Sequence, residues 1–348
     1  MTMEPTSIEK QVKAFCAQVG ADPLLVQGAG GNVSWKDDNT LWVKASGTWL
    51  AEAESKEIFV PVNLSHLQDA LAKQDFSVKP EVNGNSDLRP SIETLLHALM
   101  PHRVVVHLHA VEILAHLVQV NSIQNIKNIV GNSVKWIYVD YYKPGADLAR
   151  AVYEQLRDHN DVVFLANHGV VIGGKDVEEV RANLSLLVRK LTVEASNLSQ
   201  SAHAPTDDIK FLARDYVPCF DNKVALLALE QKLIRMLRGG WALYPDHVVF
   251  LGSRPVILES GFNSEDLEQA LNSNPPFIFV LGKGVYESIN VTLAQKAQLR
   301  CYFDVVSRQE DLELICPLSN LQIAELLDWE AEKYRQTLDS NQLDSRDL

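Results

Sequence analysis

Apolar positions in the first half of the chain follow two periods, one near 3.6 residues and one of two. Ile8, Val12, Phe15 and Val19 recur at helical spacing and predict an amphipathic helix ending at Gly20. A small-residue loop, Gln27-Gly28-Ala29-Gly30-Gly31-Asn32-Val33-Ser34, then leads into Ser34-Trp35-Lys36 and, further on, Leu41-Trp42-Val43-Lys44. The turn residues Asp37-Asp38-Asn39 lie between these two segments and predict a hairpin. Ala45-Ser46-Gly47-Thr48 forms a second small-residue loop. After Pro90, the residues Ile92, Leu95, Leu96 and Leu99 mark the buried stripe of a helix that opens at Ser91 and stops before Pro101. Glu93 falls in its first turn, off the stripe. Val104 to Leu108 predicts a strand, Ile113 to Val118 a helix, Trp136 to Val139 a strand, and 162–172 a strand, turn and strand. Asp176 is placed to cap a long helix facing inward through Val177, Val180, Leu184, Leu187, Val188 and Leu191.

The pattern lapses at Ser201-Ala202-His203-Ala204-Pro205-Thr206-Asp207-Asp208, a linker-like stretch that divides a domain over 1–205 from an α/β domain over 210–340. In the second domain, Val248-Val249-Phe250-Leu251 and Phe277-Ile278-Phe279-Val280-Leu281 are the clearest predicted strands. Phe164-Leu165-Ala166-Asn167-His168-Gly169-Val170 lines up with Phe279-Val280-Leu281-Gly282-Lys283-Gly284-Val285, each followed by a helix-like run. The second domain is therefore a candidate degenerate repeat of the first, although common strand-turn-helix chemistry also produces such a match.

Composition narrows the partners. The chain has 348 residues, enough for two domains, and 46% of them are hydrophobic, as in ordinary globular proteins. Thirty-two basic against forty-five acidic side chains give a formal net charge of −13, with no Lys/Arg block to track phosphates, so nucleic acid is not an expected partner. Cys16, Cys219, Cys301 and Cys316 show neither CxxC spacing nor disulfide-scaffold density and are expected to be reduced thiols. Met1-Thr2-Met3-Glu4-Pro5 has no basic or apolar signal region, and no stretch approaches the ~18 apolar residues of a membrane span. The expectation is a cytoplasmic protein without a membrane partner.

The chemistry-bearing residues are histidines. On a strand, residues i and i+2 point to one side, so His107 and His109 would present both imidazoles to one point, and His168 follows a second apolar run at the edge of a glycine turn. Gly169 is expected to let that turn carry the imidazole off the strand end. Three neutral ligands leave an ion its charge and an open position, as a Lewis-acid catalyst needs. Taken one at a time, such histidines are more often satisfied core residues; the trio is what points to a metal. His66, His116, His159, His203 and His247 show no such grouping, while His97 and His102 lie near the site in sequence.

With these residues in place, the first ~200 positions resemble the class II aldolase and adducin head superfamily. The superfamily includes L-fuculose-phosphate and rhamnulose-1-phosphate aldolases and L-ribulose-5-phosphate 4-epimerase. The resemblance rests on Gly31-Asn32-Val33-Ser34, Ala45-Ser46-Gly47, Ser91-Ile92-Glu93 with His107-Leu108-His109, and Asn167-His168-Gly169. It is nearest to the aldolase part of bifunctional aldolase/dehydrogenase proteins. Gly28-Ala29-Gly30-Gly31 only mimics a dinucleotide fingerprint, since it leads into a hairpin instead of opening a helix.

The resemblance implies a three-layer α/β/α domain around a mostly antiparallel sheet, a homo-oligomer, and a small carbohydrate substrate. It implies that His107, His109 and His168 hold a divalent ion, zinc first, with Glu93 as a further ligand and as the catalytic acid/base on an enediolate. It matches Tyr141 to a tyrosine that donates a proton in a neighbouring subunit's site, with Tyr138 and Tyr142 as alternative matches. It assigns substrate phosphate to Asn32, Ser46, Gly47 and Ser91. At the family's second serine this chain has Ile92, which cannot hydrogen-bond phosphate; backbone N–H groups and Lys44 are the candidates to compensate. The implied activity is aldol cleavage of a sugar phosphate or related hydroxy-carbonyl compound. A sugar-phosphate epimerase or dehydratase, and a non-catalytic adducin-like assembly module, are the alternatives.

Overall fold

Alternation along single strands decides which residues enter which core. In the strand β4 (Val104–Leu108), Val104, Val106 and Leu108 pack into one apolar layer, whereas Val105 packs into the layer on the opposite face, the side that His107 shares by period two. A strand buried on both faces needs helices on both sides, and the fold supplies them. The computed structural model describes residues 7–195, 215–219, 221–327 and 336. It divides into two units, Met1–Thr192 and Val193–Leu348. The linker expected at 201–208 lies outside the described residues.

In chain order the first unit has α1 (Ser7–Gly20), β1 (Asn32–Asp37), β2 (Thr40–Lys44), β3 (Phe59–Asn63), α2 (Leu64–Ala72) and α3 (Thr94–Leu99). After β4 come α4 (Val111–Leu117), α5 (Ser122–Val130), β5 (Trp136–Val139), α6 (Ala146–Gln155), β6 (Val162–Leu165), β7 (Gly169–Gly174) and α7 (Val177–Leu191). The seven strands form one sheet in the order β3-β2-β1-β4-β7-β6-β5, antiparallel throughout except for the parallel β5–β6 pair. Helices α1, α4, α5 and α7 cover one face around Val33, Trp35, Phe164 and Ile172, while α2, α3 and α6 cover the other around Val43, Val105, Val163 and Val171. This is the expected three-layer α/β/α arrangement with a mostly antiparallel sheet. Asp176 caps α7, accepting from the Glu179 amide at 2.9 Å.

The helix expected from Ser91 begins only at Thr94, with Glu93 as its N-cap. Ser91 is the cause: its Oγ accepts from the Glu93 amide and its carbonyl from the Thr94 amide and hydroxyl, which holds 91–94 as a turn. Glu93 is also not a solvated first-turn acid, being only 5% exposed.

The second unit contains β8 (Tyr216–Pro218), α8 (Asn222–Ala225) with a 3-10 turn (Leu226–Ala228), α9 (Gln231–Gly239), α10 (Pro245–Leu251) and β9 (Val256–Leu258). It continues with α11 (Ser264–Leu271), β10 (Phe277–Val280), β11 (Gly284–Ser288), α12 (Leu293–Val306) and α13 (Asn320–Leu327). The strand expected over 248–251 is instead part of α10. Pro245 starts the helix and every residue from 245 to 251 is buried, so no polar face betrays the helical period.

The four-stranded order β8-β11-β10-β9 reproduces β4-β7-β6-β5, with the same directions: antiparallel, antiparallel, parallel. Register agrees as well, since Leu165 pairs with Gly169 and Val280 with Gly284. The turn bonds recur: Asn167 N to Leu117 O at 3.1 Å corresponds to Gly282 N to Ala228 O at 2.8 Å. In this correspondence Pro218 stands at the place of His107, and Lys283 at that of His168.

Candidate metal centre

Three imidazoles meet where β4 ends beside the β6–β7 turn. The ligand nitrogens of His107, His109 and His168 all lie within 4.8 Å of one another and all three residues are buried. His107 Nδ1 donates to the Val170 carbonyl at 3.2 Å, which makes Nε2 the unprotonated nitrogen of the neutral ring and the one that could ligate a metal. That Nε2 faces His109 Nε2 at 3.1 Å. Two nitrogens bound to one tetrahedral zinc at ~2.0–2.1 Å would stand about 3.3 Å apart, close to the spacing of the His107–His109 pair.

Glu93 closes the cluster. Its Oε2 is 3.5 Å from His107 Nε2 and its Oε1 is 3.5 Å from His168 Nε2. Asn32 Nδ2 donates to Oε2 at 2.8 Å, and Asn32 is the cross-strand partner of His107, so the hairpin strand delivers the amide to the same face. Three neutral imidazoles and a carboxylate fit zinc or a comparable divalent ion. Among the described residues, no other cluster of this kind occurs.

The turn that carries His168 differs from the expected one. The left-handed residue is Asn167, at φ 51°, the position held by Gly282 at φ 76° in the second unit. Gly169 matters for space: a Cβ there would lie 2.4 Å from the Leu108 carbonyl oxygen, 3.0 Å from His109 Cδ2 and 3.3 Å from His107 Cε1. Gly31, at φ 66°, likewise keeps its loop clear of the His107 carbonyl oxygen, which a Cβ there would meet at 3.0 Å.

The residues expected to hold substrate are drawn together by backbone. Ala45 bridges Pro90, Ser46 N donates to Arg89 O at 2.9 Å, and Ser91 N to Lys44 O at 3.2 Å, so Ser46 and Gly47 lie beside Ser91. Lys44 is 1% exposed and its ammonium donates to the carbonyls of Ala29, at 3.1 Å, and Ala45, at 3.4 Å. These bonds tie the two loops together. Tyr141 is half-buried after β5, Tyr142 is exposed, and Tyr138 is hydrogen-bonded to Ser122 Oγ.

Two residues near the centre went unassigned in the sequence. His97 is fully buried one turn beyond Glu93, with Nδ1 2.8 Å from Ser34 Oγ; burial, with His107, Lys36 and Lys44 nearby, pushes its pKa down to about 3. Lys36 donates to the Met100 carbonyl at the end of α3, and burial lowers its pKa to about 8. Only the short spacing of His97 to Glu93 hinted at either. His102 belongs elsewhere, paired with Asp161 at 3.1 Å.

A family model described as Class II Aldolase and Adducin N-terminal domain matches residues 10–195, and the chain belongs to this family. An uncharacterized oxidoreductase of Bacillus subtilis, YuxG, is 29% identical over 178 residues, 46% of this chain and 25% of that protein; the chain thus spans only about a quarter of this relative's own length. An L-fuculose phosphate aldolase of Methanocaldococcus jannaschii is 25% identical over 198 residues, 55% of this chain and 97% of the relative. Among solved structures, the N-terminal class II aldolase domain of a conserved protein from Thermoplasma acidophilum aligns with a TM-score of 0.46 at 26% identity, covering 55% of this chain and 94% of that one.

Within the described residues, no helix is long and apolar enough to cross a membrane. The four cysteines are thiols outside any disulfide, three of them buried. Burial raises the Cys219 thiol to about 11 and Cys301 to about 12, so both are protonated at neutral pH.

Proposed function

We propose that the first unit is a zinc-dependent carbon–carbon lyase acting by aldol cleavage on a sugar phosphate or related hydroxy-carbonyl compound. The observation that carries this reading is the convergence of three imidazole nitrogens within 4.8 Å, with the Glu93 carboxylate 3.5 Å from two of them. His107, His109 and His168 would hold the ion, with Glu93 completing the shell at rest. When bound, a divalent ion supplies Lewis-acid polarisation of adjacent carbonyl and hydroxyl oxygens.

The remaining work falls to this chain's own groups. Glu93 returns or removes a proton at the carbon beside the carbonyl, with Asn32 holding its Oε2 and so the carboxylate's orientation. Asn32, Ser46, Gly47 and Ser91 form the rim that binds the far end of the substrate. Tyr141 protonates the aldehyde half across a subunit contact of a homo-oligomer. The second unit, with Pro218 and Lys283 in place of two ligands, serves architecture as a degenerate copy of the β4–α7 part of the first.

Metal analysis of the purified chain tests the centre: about one zinc per chain is expected by the three-ligand logic of catalytic sites, and none in His107→Ala. Aldol cleavage is then screened across ketose phosphates and their unphosphorylated counterparts, with zinc, manganese and cobalt. A metal-free, folded wild type would favour the assembly module, and a loaded chain that interconverts epimers without cleavage would move the reaction within the family.

A further inference from the structure

Residues Asn32, Ser34 and Lys36 lie on one face of β1, while Val33 and Trp35 enter the core on the other. Each of the three contacts α3 or its caps. Asn32 Nδ2 donates to Glu93 at 2.8 Å, Ser34 Oγ lies 2.8 Å from His97 Nδ1, and Lys36 Nζ donates to the Met100 carbonyl. Glu93, His97 and Met100 are themselves spaced i, i+4, i+7, a single helical stripe. The rises are close for the first step, where two strand residues advance about 6.8 Å and four helical residues about 6 Å; the second spans only three helical residues, about 4.5 Å, and the long Lys36 side chain reaches a backbone carbonyl there. Strand and helix are thus joined by a three-rung polar ladder whose top rung is the metal-site carboxylate.

We propose that the Ser34–His97 rung is a positioning contact that sets Glu93 against the three histidines. Helix α3 has six residues, well below the ~12–15 at which a helix sustains itself, and its N-cap makes no side-chain capping bond. Its placement therefore depends on what grips it. His97 is 0% exposed, and its Nε2 has no hydrogen-bond partner among the described residues. A buried imidazole with an unmet nitrogen costs more than an apolar side chain of similar size, so packing alone does not account for histidine here. The Ser34 bond does, because it fixes the turn of α3 one step below Glu93. His97 stays neutral at working pH, so the rung is a fixed hydrogen bond and adds no charge beside the ligands.

This inference rests on the metal reading but not on the lyase reaction, and its test is spectroscopic. The full chain is loaded with cobalt, and the visible band is compared for wild type, Glu93→Gln, Ser34→Ala, His97→Phe, the Ser34→Ala/His97→Phe pair and His97→Asn, whose amide can occupy the Nδ1 position. Ser34→Ala and His97→Phe should each shift the band toward that of Glu93→Gln, the pair should shift it no further than either single change, and His97→Asn should restore it. In any activity found, kcat should fall with KM little changed. Additive shifts, a wild-type band in Ser34→Ala, or His97→Asn behaving like His97→Phe would overturn the proposal. If His97→Phe fails to fold, Ser34→Ala and His97→Asn still carry the comparison. A wild type that binds cobalt through its histidines yet cleaves no aldol would remove the lyase reading and leave the ladder standing.

Discussion

Acidifying the metal-free chain should destabilise the first unit through His97 alone by a calculable amount. Its pKa is about 3 in the folded state because burial disfavours the charged ring, against 6.5 when exposed. The unfolded chain therefore binds the extra proton between these values, so the folded state is favoured fully above pH 6.5 and loses ground as pH falls toward 3. Between pH 7 and pH 5 the unfolded side gains about 2 kcal/mol from this one group, from RT ln of the ratio of its binding polynomials. His97→Asn keeps the Ser34 contact and cannot titrate. Urea unfolding, followed by tryptophan fluorescence from the Trp35–Trp42 stack at 5.5 Å in this unit's core, gives stability at each pH for both proteins. The wild type should lose about 2 kcal/mol more than His97→Asn over that interval. Parallel curves would show that His97 protonates freely in the folded state, and the buried, Ser34-bound ring would be wrong.

Two further substitutions separate geometry from chemistry. Gly169→Ala places a methyl 2.4 Å from the Leu108 carbonyl, so about 1–3 kcal/mol of overpacking and weaker metal binding are expected together in melts and chelator competition. Unchanged binding would free that glycine from any role beside the histidines. Glu93→Gln should keep the fold and the metal but lose proton exchange at the carbon beside the carbonyl, followed in deuterated water with a ketose substrate. Exchange at the wild-type rate would remove Glu93 from acid/base chemistry.

Much of the architecture was legible because periodicity reports burial. The β1–β2 hairpin, β4, the β6–β7 turn and the Asp176-capped α7 all follow from apolar spacing and turn residues. The apolar run at 248–251 failed for the same reason: a short helix buried on every side has no polar face, and only Pro245 marked its start. The helix opening at 91 failed because the Ser91 hydroxyl competes locally with helix formation, a contest that apolar spacing does not register. Gly169 was assigned to a turn conformation, whereas its role is clearance from residues some sixty positions away.

The sequence alone determined that His107 lies on a strand with His109 two residues on, and that His168 follows a second apolar run at a glycine turn, since the apolar spacing and the turn residues are local; in the structure His109 falls just past the end of β4 and His168 in the β6–β7 turn. Only the tertiary structure decided that the three rings converge, that Glu93 faces them from a separate helix, and that Ser34 and His97 brace that helix. Several of those pairings, such as Asn32 with Glu93 and Ser34 with His97, join residues about sixty positions apart, and their distances depend on how β1, β4, β7 and α3 stack, which no local pattern encodes.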